Sequence, residues 1–129
     1  MNITVLGIAG GTGSGKTYAV KSLLNEYPQN SVLAISMDSY YKDLSHINYK
    51  KRVEQNFDHP DSIDVNLLEN HLEQASKGDK INIPIYDFSN HVRLGETTSI
   101  SNAKIIIVEG IFALHFLQLR KFYTLKLFI

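Results

Sequence analysis

One stretch near the start of the chain decides the fold. It is the run Gly10, Gly11, Thr12, Gly13, Ser14, Gly15, Lys16 and Thr17, which fits the phosphate-loop pattern G-x-x-x-x-G-K-[ST]. Glycines let the backbone fold round a phosphate so that successive N–H groups point inward. We expect Lys16 to reach the β- and γ-phosphates of a nucleoside triphosphate, and the Thr17 hydroxyl to ligate Mg²⁺. ATPases, GTPases, motors and small-molecule kinases all carry such a loop, so the phosphate acceptor stays open.

The segments around this loop indicate a parallel sheet. Residues 3–8 form a short β-rich run without clean alternation, which is typical of a strand buried on both faces. Residues 16–26 carry a helical apolar stripe that ends at Tyr27 and Pro28, and residues 31–36 form a second apolar run. A strand, a glycine loop, a helix and a strand in this order are the βαβ unit of a parallel sheet.

The rest of the chain extends this α/β pattern. His71, in the predicted helix at 65–75, is predicted to lie at the protein surface. The predicted elements are a polar functional or mobile stretch at 38–62, a helix at 65–75, a hairpin of strands 81–85 and 96–100 with its tip at 89–95, a strand at 104–109, a helix at 114–123 and a final buried strand at 125–129. We therefore predict one domain over residues 1–129, a P-loop NTPase-type open parallel sheet flanked by helices, with an inserted β-hairpin.

Composition narrows the functional class. The chain has 129 residues, a formal net charge of zero and 43% hydrophobic residues, close to the norm for soluble globular domains. Zero net charge argues against a nucleic-acid partner, and the absence of cysteine excludes disulfides, a thiol nucleophile and Cys-type metal sites. Because there is neither a signal-peptide pattern nor an apolar run of about twenty residues, we predict a cytoplasmic protein with no membrane partner.

Two carboxylates follow predicted strands. Asp38 lies just past the strand at 31–36, and Glu109 ends the strand at 104–109. Reacting groups of open parallel sheets sit outside the carboxyl ends of the strands. We expect Glu109 to act on Mg²⁺, directly or through water, and Asp38 to accept a proton from an acceptor hydroxyl beside the metal. The alternative for each is a helix cap or a solvated loop carboxylate.

Five segments together resemble the uridine–cytidine kinase family, in order and spacing across nearly the whole chain. They are residues 10–17, Ser36-Met37-Asp38-Ser39-Tyr40-Tyr41, Asn56-Phe57-Asp58-His59-Pro60-Asp61-Ser62, Pro84-Ile85-Tyr86-Asp87-Phe88-Ser89-Asn90-His91-Val92-Arg93 and Ile107-Val108-Glu109-Gly110-Ile111. The third and fourth segments are much more specific than the phosphate loop. Phosphoribulokinase, a relative with the same loop, is less similar in these two segments.

The resemblance implies ATP-dependent (or GTP-dependent) phosphorylation of the 5′-hydroxyl of uridine or cytidine, with Mg²⁺ as cofactor. Asp38 would be the catalytic base for the ribose 5′-hydroxyl and a neighbour of the metal. Lys16 would act on the transferred phosphate, and Thr17 and Glu109 would complete the magnesium shell. The family is typically oligomeric, so the resemblance also implies a homo-oligomer that acts on a small-molecule nucleoside.

The same resemblance implies a nucleoside pocket. Asp58 would bind the ribose hydroxyls, Tyr86, Phe88 and His91 would frame the base, and Arg93 matches a basic position beside the pocket. The residues alone are compatible with this, because a planar pyrimidine needs an aromatic wall and one or two hydrogen-bonding groups. On the residues alone, however, Tyr86 and Phe88 are equally well explained as core aromatics. Tyr40 and Tyr41 similarly fit either packing of the loop or a wall of the nucleoside site.

The chain departs from the family at its end. The family continues with an arginine-rich helix and lid, a further strand and a C-terminal helix, so we interpret the chain as C-terminally truncated with an open apolar edge at residues 125–129. Three hypotheses follow. The chain is part of a pyrimidine nucleoside kinase, or another small-molecule kinase such as one acting on a phosphorylated pentose, or a nucleotide-binding module without turnover.

Overall fold

The computed structural model describes residues 3–10, 15–27, 31–100 and 103–129. In chain order its helices and strands are β1 (Thr4–Ala9), α1 (Lys16–Glu26), β2 (Val32–Ser36), α2 (Tyr49–Val53), α3 (Val65–Ser76), β3 (Ile81–Asp87), β4 (Val92–Ile100), β5 (Ile105–Glu109), α4 (Leu117–Arg120) and β6 (Leu125–Phe128). Short 3-10 turns span Met37–Tyr40 and Pro60–Ser62. Within these ranges, no helix is long and apolar enough to cross a membrane.

A four-stranded parallel sheet in the order β2-β5-β1-β6 forms the centre of the fold. Its central strand β5 pairs with both neighbours, so that Ile107 lies opposite Leu6 of β1 and Ala34 of β2. Parallel neighbours require crossover connections, which bring helices onto the faces of the sheet. The predicted open parallel sheet is therefore confirmed.

Both faces of β5 are buried, which explains its unbroken apolar sequence. Ile106 and Val108 point into the larger core cluster, which also contains Leu68 and Leu72 of α3. Ile107, between them, packs on the opposite face in a cluster that contains Val20 of α1. Successive side chains of a strand alternate between faces, so a strand covered on both sides is apolar at every position.

Gly7 of β1 allows a close approach that fixes the end of the chain's last loop. A β-carbon at residue 7 would lie 2.5 Å from Cε2 of Tyr123. The Tyr123 hydroxyl donates a hydrogen bond of 2.7 Å to the carbonyl oxygen of Ala113. The ring thus closes the segment between β5 and β6 against the sheet.

This closure accounts for a wrong prediction, the helix at 114–123. Only Leu117–Arg120 is α-helical, and tight turns precede it, in which the N–H of Ala113 donates to Gly110 and that of His115 to Phe112. A regular helix would hold Ala113 and Tyr123 well apart, because ten residues of helix span about 15 Å. The chain instead doubles back so that the two residues can bond.

The last strand differs from its prediction as well. Residues of β6 pair with β1, Leu125 opposite Leu6 and Leu127 opposite Ile8. However, Leu125 is 49% exposed and Phe128 is 83% exposed. The prediction of a buried strand is wrong for these side chains, because nothing in the described residues packs over them to the degree seen at β5.

The predicted hairpin is a separate two-stranded antiparallel sheet of β3 and β4. Pairing begins at Asp87 and Val92, so the tip is shorter than the predicted 89–95. The Asp87 carboxylate explains the tight turn, because it accepts hydrogen bonds from the backbone N–H groups of Ser89 and Asn90 and from the Asn90 side chain. Such side-chain bonds close a turn that composition alone does not reveal.

Helix α3 buries a residue predicted to lie at the surface. His71 is only 9% exposed, and its Nδ1 lies 2.7 Å from the hydroxyl of Tyr40, which is itself fully buried. The surface prediction is wrong, since a polar ring can enter a core when it finds a hydrogen-bond partner there. This bond ties the 3-10 turn that follows β2 to α3.

Candidate active site

The phosphate loop itself lies mostly outside the described residues, which exclude Gly11, Thr12, Gly13 and Ser14. Gly10 is buried at the end of β1, and Gly15 caps α1 with a left-handed φ of 93°. Lys16 and Thr17 begin the helix, but their side chains are not described, so their contacts to phosphate and metal stay predictions. An 11-residue helix with no acidic residue in its first turn suits an anion at its N-terminus, so the surroundings of the loop fit a triphosphate.

The two predicted carboxylates lie at the same edge of the sheet. Glu109 ends β5, half-buried, directly opposite Ile8 of β1 and Ser36 of β2. Asp38 follows two residues after Ser36, on the 3-10 turn, and is exposed. The side chain of Ser36 accepts a hydrogen bond from the backbone N–H of Asp38 and so starts that turn.

The carboxyl ends of the strands, where these two carboxylates lie, suit a magnesium ion that substrate phosphates also hold. Among the described residues, no three His, Cys, Asp or Glu side chains form a group that would hold a metal by themselves. Magnesium in phosphoryl-transfer sites usually keeps several waters and takes one or two carboxylates plus substrate phosphates. Asp38 and Glu109 meet that requirement, with the Thr17 hydroxyl as the predicted third protein ligand.

The Tyr41 hydroxyl is influenced by both the predicted base and the predicted ribose ligand. Burial, followed by the charge and hydrogen bond of Asp38 and then by the charge of Asp58, raises the pKa of the Tyr41 hydroxyl to about 12. Both carboxylates therefore influence the same hydroxyl electrostatically. Asp58 is exposed, in a turn in which its N–H bonds to the Asn56 side chain.

The same tyrosine stands at the centre of an aromatic cluster. Its ring contacts Phe57, Tyr86 and Phe88 edge-on, with centroids 5.2, 5.4 and 6.4 Å away. Tyr86 and Phe88 also contact each other at 5.3 Å. Tyr86 is buried, whereas Phe88 is 57% exposed at the start of the hairpin tip. The structure thus brings together two of the predicted base-framing residues with two aromatics from the polar stretch.

His91 joins this cluster from the hairpin tip. It has a φ of 57°, and its N–H bonds to the Asp87 carbonyl at 2.8 Å. Its ring stacks on Phe57 at 4.8 Å and lies nearly parallel to the ring of Tyr49 at 6.4 Å. We call Tyr41, Phe57, Tyr86, Phe88 and His91 the aromatic wall.

Two contributors to this region had no predicted role, Phe57 and Tyr49. Both lie in the polar stretch 38–62, where aromatic side chains stand among Asp, Asn and Lys. Aromatic residues in an otherwise polar segment were the available signal, because large aromatic side chains tend to pack against other rings.

The hydroxyl of Tyr86 is the one buried side-chain polar atom without a hydrogen-bond partner in the part of the chain that the structure describes. An unsatisfied buried hydroxyl costs stability and is uncommon. The Tyr86 ring, which carries this hydroxyl, lies in the aromatic wall beside the rings of Tyr41 and Phe88.

Arg93 has partners within the protein. Its guanidinium lies 3.0 Å from Oδ2 of Asp64 and donates through Nε to the carbonyl of Tyr41 at 3.2 Å. Its backbone N–H donates to the Asp43 carboxylate at 3.3 Å. The predicted pocket arginine is thus engaged with the turn that carries Tyr41 and with the start of α3.

Comparisons with known proteins test the expected family resemblance. A family model, that of the phosphoribulokinase/uridine kinase family, matches residues 5–129. The uridine kinase of Clostridium novyi (strain NT) is 41% identical over 129 residues, which are 100% of this chain and 62% of that protein. The uridine kinase of Staphylococcus haemolyticus (strain JCSC1435) is 41% identical over 128 residues, 99% of this chain and again 62% of the relative. The chain therefore spans about 62% of the length of these relatives.

Solved structures share the fold. A protein described as a possible uridine kinase from Bacillus stearothermophilus aligns with a TM-score of 0.72 at 21% identity, over 99% of this chain and 71% of its own. Phosphoribulokinase from Rhodobacter spheroides aligns with a TM-score of 0.71 at 8% identity, over 98% of this chain and 50% of its own. Because the family model covers nearly the whole sequence and the fold agrees, this chain belongs to the phosphoribulokinase/uridine kinase family.

Proposed function

We propose that this protein transfers the γ-phosphoryl group of ATP or GTP to the 5′-hydroxyl of uridine or cytidine and so forms UMP or CMP. The observation that carries the proposal is the grouping of the aromatic wall with Asp38 and Asp58 around Tyr41. A pyrimidine nucleoside presents a flat ring and a diol, which call for an aromatic surface and hydrogen-bond acceptors. The curated uridine kinases among the relatives support this substrate class.

The nucleoside would lie along the aromatic wall. Tyr86 and Phe88 would flank the base, and a ring nitrogen of His91 would bond its polar edge. The Tyr86 hydroxyl, buried without a partner among the described residues, supports a role as a further bond to the base. Asp58 would accept the hydrogen bonds of the ribose hydroxyls through its carboxyl oxygens.

The reaction needs a base beside the attacking oxygen. Asp38 would accept the proton of the 5′-hydroxyl while that oxygen bonds to the γ-phosphorus and the bond to the β–γ bridging oxygen breaks, which releases the nucleoside diphosphate. The Tyr41 hydroxyl, which interacts electrostatically with Asp38, would help to orient the carboxylate. Exposure of Asp38 at the sheet edge is compatible with access by a substrate hydroxyl.

The phosphate loop would hold the triphosphate. Backbone N–H groups of residues 10–17 and the Lys16 ammonium would bind its phosphates, and Thr17, Asp38 and Glu109 would hold Mg²⁺. When bound, the cation would neutralise negative charge on the transferred phosphoryl group.

The test is a coupled assay of ADP release with ATP, Mg²⁺ and either uridine or cytidine. We expect nucleoside-dependent release that Lys16→Ala abolishes and Asp38→Asn lowers by about 10²- to 10⁴-fold. Asp79→Asn, which changes an exposed carboxylate beyond the C-terminus of α3, is the matched control and should leave the rate unchanged.

Nucleoside binding is measured in parallel by isothermal titration, because the chain spans only part of its relatives. Binding of uridine without turnover would show that this chain is a nucleoside-binding module, and the claim of catalysis would fail. A chain that binds ATP but neither nucleoside would contradict the substrate assignment itself.

A further inference from the structure

The aromatic wall is assembled from two parts of the chain that do not share a sheet. Tyr86, Phe88 and His91 belong to the hairpin, whereas Tyr41 belongs to the segment after β2. A nucleoside held between base-framing rings and a catalytic carboxylate requires these two parts to keep a constant separation. Ring contacts alone permit sliding, because edge-on aromatic pairs are favourable over a range of centroid distances.

Arg93 is placed to fix that separation. It stands on β4 directly opposite Tyr86 across the hairpin. Its Nε donates to the backbone carbonyl of Tyr41, and its Nη2 pairs with Asp64. One side chain therefore joins the hairpin strand that supports Tyr86 to the backbone of the residue at the centre of the wall.

Asp64 anchors the Arg93 side chain because its carboxylate also caps α3. Its Oδ1 accepts the N–H of Leu67 and caps α3, while Oδ2 receives Arg93 at 3.0 Å. Its backbone N–H also donates to the Tyr40 carbonyl at 2.7 Å. The adjacent Ile63 forms an antiparallel bridge with Tyr41. The guanidinium is thus anchored to a helix start that is itself bonded to the Tyr40–Tyr41 backbone.

Charge and exposure argue against direct nucleoside contact by Arg93. The side chains of Arg93 and Asp64 are only 21% and 33% exposed, and they neutralise each other. Uridine and cytidine are uncharged, so a paired guanidinium gains no net attraction from them. The planar guanidinium fork of arginine holds its donors in fixed directions toward two acceptors, whereas the ammonium of lysine is a compact charge on a flexible stem.

We propose that Arg93 is a positioning residue, which sets the spacing between the base-framing hairpin and the Asp38–Tyr41 turn through Asp64 and the Tyr41 carbonyl. This inference rests on the proposed nucleoside site. It differs from the expectation that Arg93 is itself a pocket ligand, since the substrate is then affected only through the geometry of the aromatic wall.

The test combines Arg93→Lys, Asp64→Asn and the double variant. Asparagine caps helices as well as aspartate does, so Asp64→Asn removes the charge partner and keeps the cap. We expect each single variant to weaken uridine binding on the order of tenfold and the double variant to be little worse than either, because coupled residues are not additive. Binding of ATP should not change. Arg120→Lys, on the exposed side of α4, is the matched control.

A ligand-free readout separates this inference from the proposed function. In spectra of ¹³C-labelled tyrosine, Arg93→Lys and Asp64→Asn should shift the ring signals of Tyr41 and Tyr86 in the same direction, and Arg120→Lys should not. Wild-type protein that binds no uridine would refute the nucleoside site, yet these shifts would still report the positioning. Tyrosine ring signals that do not shift in the two variants would overturn the inference. Unchanged uridine affinity in Asp64→Asn together with lowered affinity in Arg93→Lys would also overturn it and would leave Arg93 as a ligand.

Discussion

The parallel sheet and the aromatic wall are held together in different ways. In the sheet, backbone ladders join β2, β5, β1 and β6, and apolar side chains such as Ile106 and Val108 are completely buried. In the described residues no ladder joins the hairpin to that sheet, and the wall is held by ring contacts and by side-chain hydrogen bonds such as those of Arg93 and Arg52. Backbone ladders form with almost any sequence of the right pattern, whereas the wall needs particular side chains. The scaffold is therefore general and the site is specific.

The largest expected effect is a loss of stability on replacing a glycine of the sheet, compared with the same replacement in the hairpin. Gly7→Ala should lower the free energy of unfolding by about 3 kcal/mol, because its new β-carbon would lie 2.5 Å from the Tyr123 ring. Gly95→Ala, the matched change on β4, has nothing within 4 Å of its new β-carbon and should be neutral or slightly stabilising. Urea unfolding measures both, and equal losses at the two positions would contradict the distinction.

A second comparison removes one hydroxyl from each region. Tyr123→Phe should cost about 1 kcal/mol, because it breaks the 2.7 Å bond to Ala113. Tyr86→Phe should be neutral or stabilising by about 1 kcal/mol, because its buried hydroxyl has no partner among the described residues. Uridine affinity should fall by about three- to tenfold in Tyr86→Phe and stay constant in Tyr123→Phe. Thermal unfolding measures the two changes in stability, and uridine titration measures the two affinities. A destabilised Tyr86→Phe would contradict the prediction, because it would reveal a structural bond at that hydroxyl.

The buried hydrogen bond between Tyr40 and His71 lies at a group whose titration should make the free energy of unfolding depend on pH. Burial lowers the pKa of His71 below its ordinary value of about 6.5, and the positive charge of Arg93 lowers it further. The negative charge of Asp64 opposes this shift. The unfolded chain then binds more protons than the native one, so stability is lost as pH falls below about 6.5, by at most about 1.4 kcal/mol per pH unit. His71→Asn keeps an acceptor for the Tyr40 hydroxyl but cannot titrate.

Urea unfolding between pH 7 and pH 5 measures this dependence. We expect a flatter stability profile in His71→Asn than in the wild type, and an unchanged profile in His115→Gln, which alters an exposed histidine before α4. A profile that His71→Asn leaves unaltered would show that other groups carry the acid sensitivity.

The smallest expected effect is at the exposed end of the sheet. Phe128 is 83% exposed on β6, so Phe128→Ser should change the free energy of unfolding by less than about 0.5 kcal/mol. The solubility limit should rise, because an exposed apolar side chain on an edge strand favours association. A loss of stability comparable to that of Gly7→Ala would mean that this side chain packs against the protein in solution.

Prediction from sequence succeeded where the pattern is local. The apolar runs of β1, β2 and β5 and the stripe of α3 identified their elements, because strand and helix periods determine which residues can be buried together. It failed for the segment before β6, where the bond between Tyr123 and Ala113 overrides helical propensity. It also missed the tight hairpin tip, which the side chain of Asp87 closes.

For the site, the sequence by itself determined the family and predicted the phosphate loop and the carboxylates Asp38 and Glu109, because these features are recognised by residue type and spacing along the chain. Only the tertiary structure decided that Asp38 and Asp58 both influence the Tyr41 hydroxyl, and that Phe57 stacks on His91. It alone decided as well that Arg93 is bonded to Asp64. These partners lie far apart in sequence, and side chains from separate elements meet only when the core beneath them has brought those elements together.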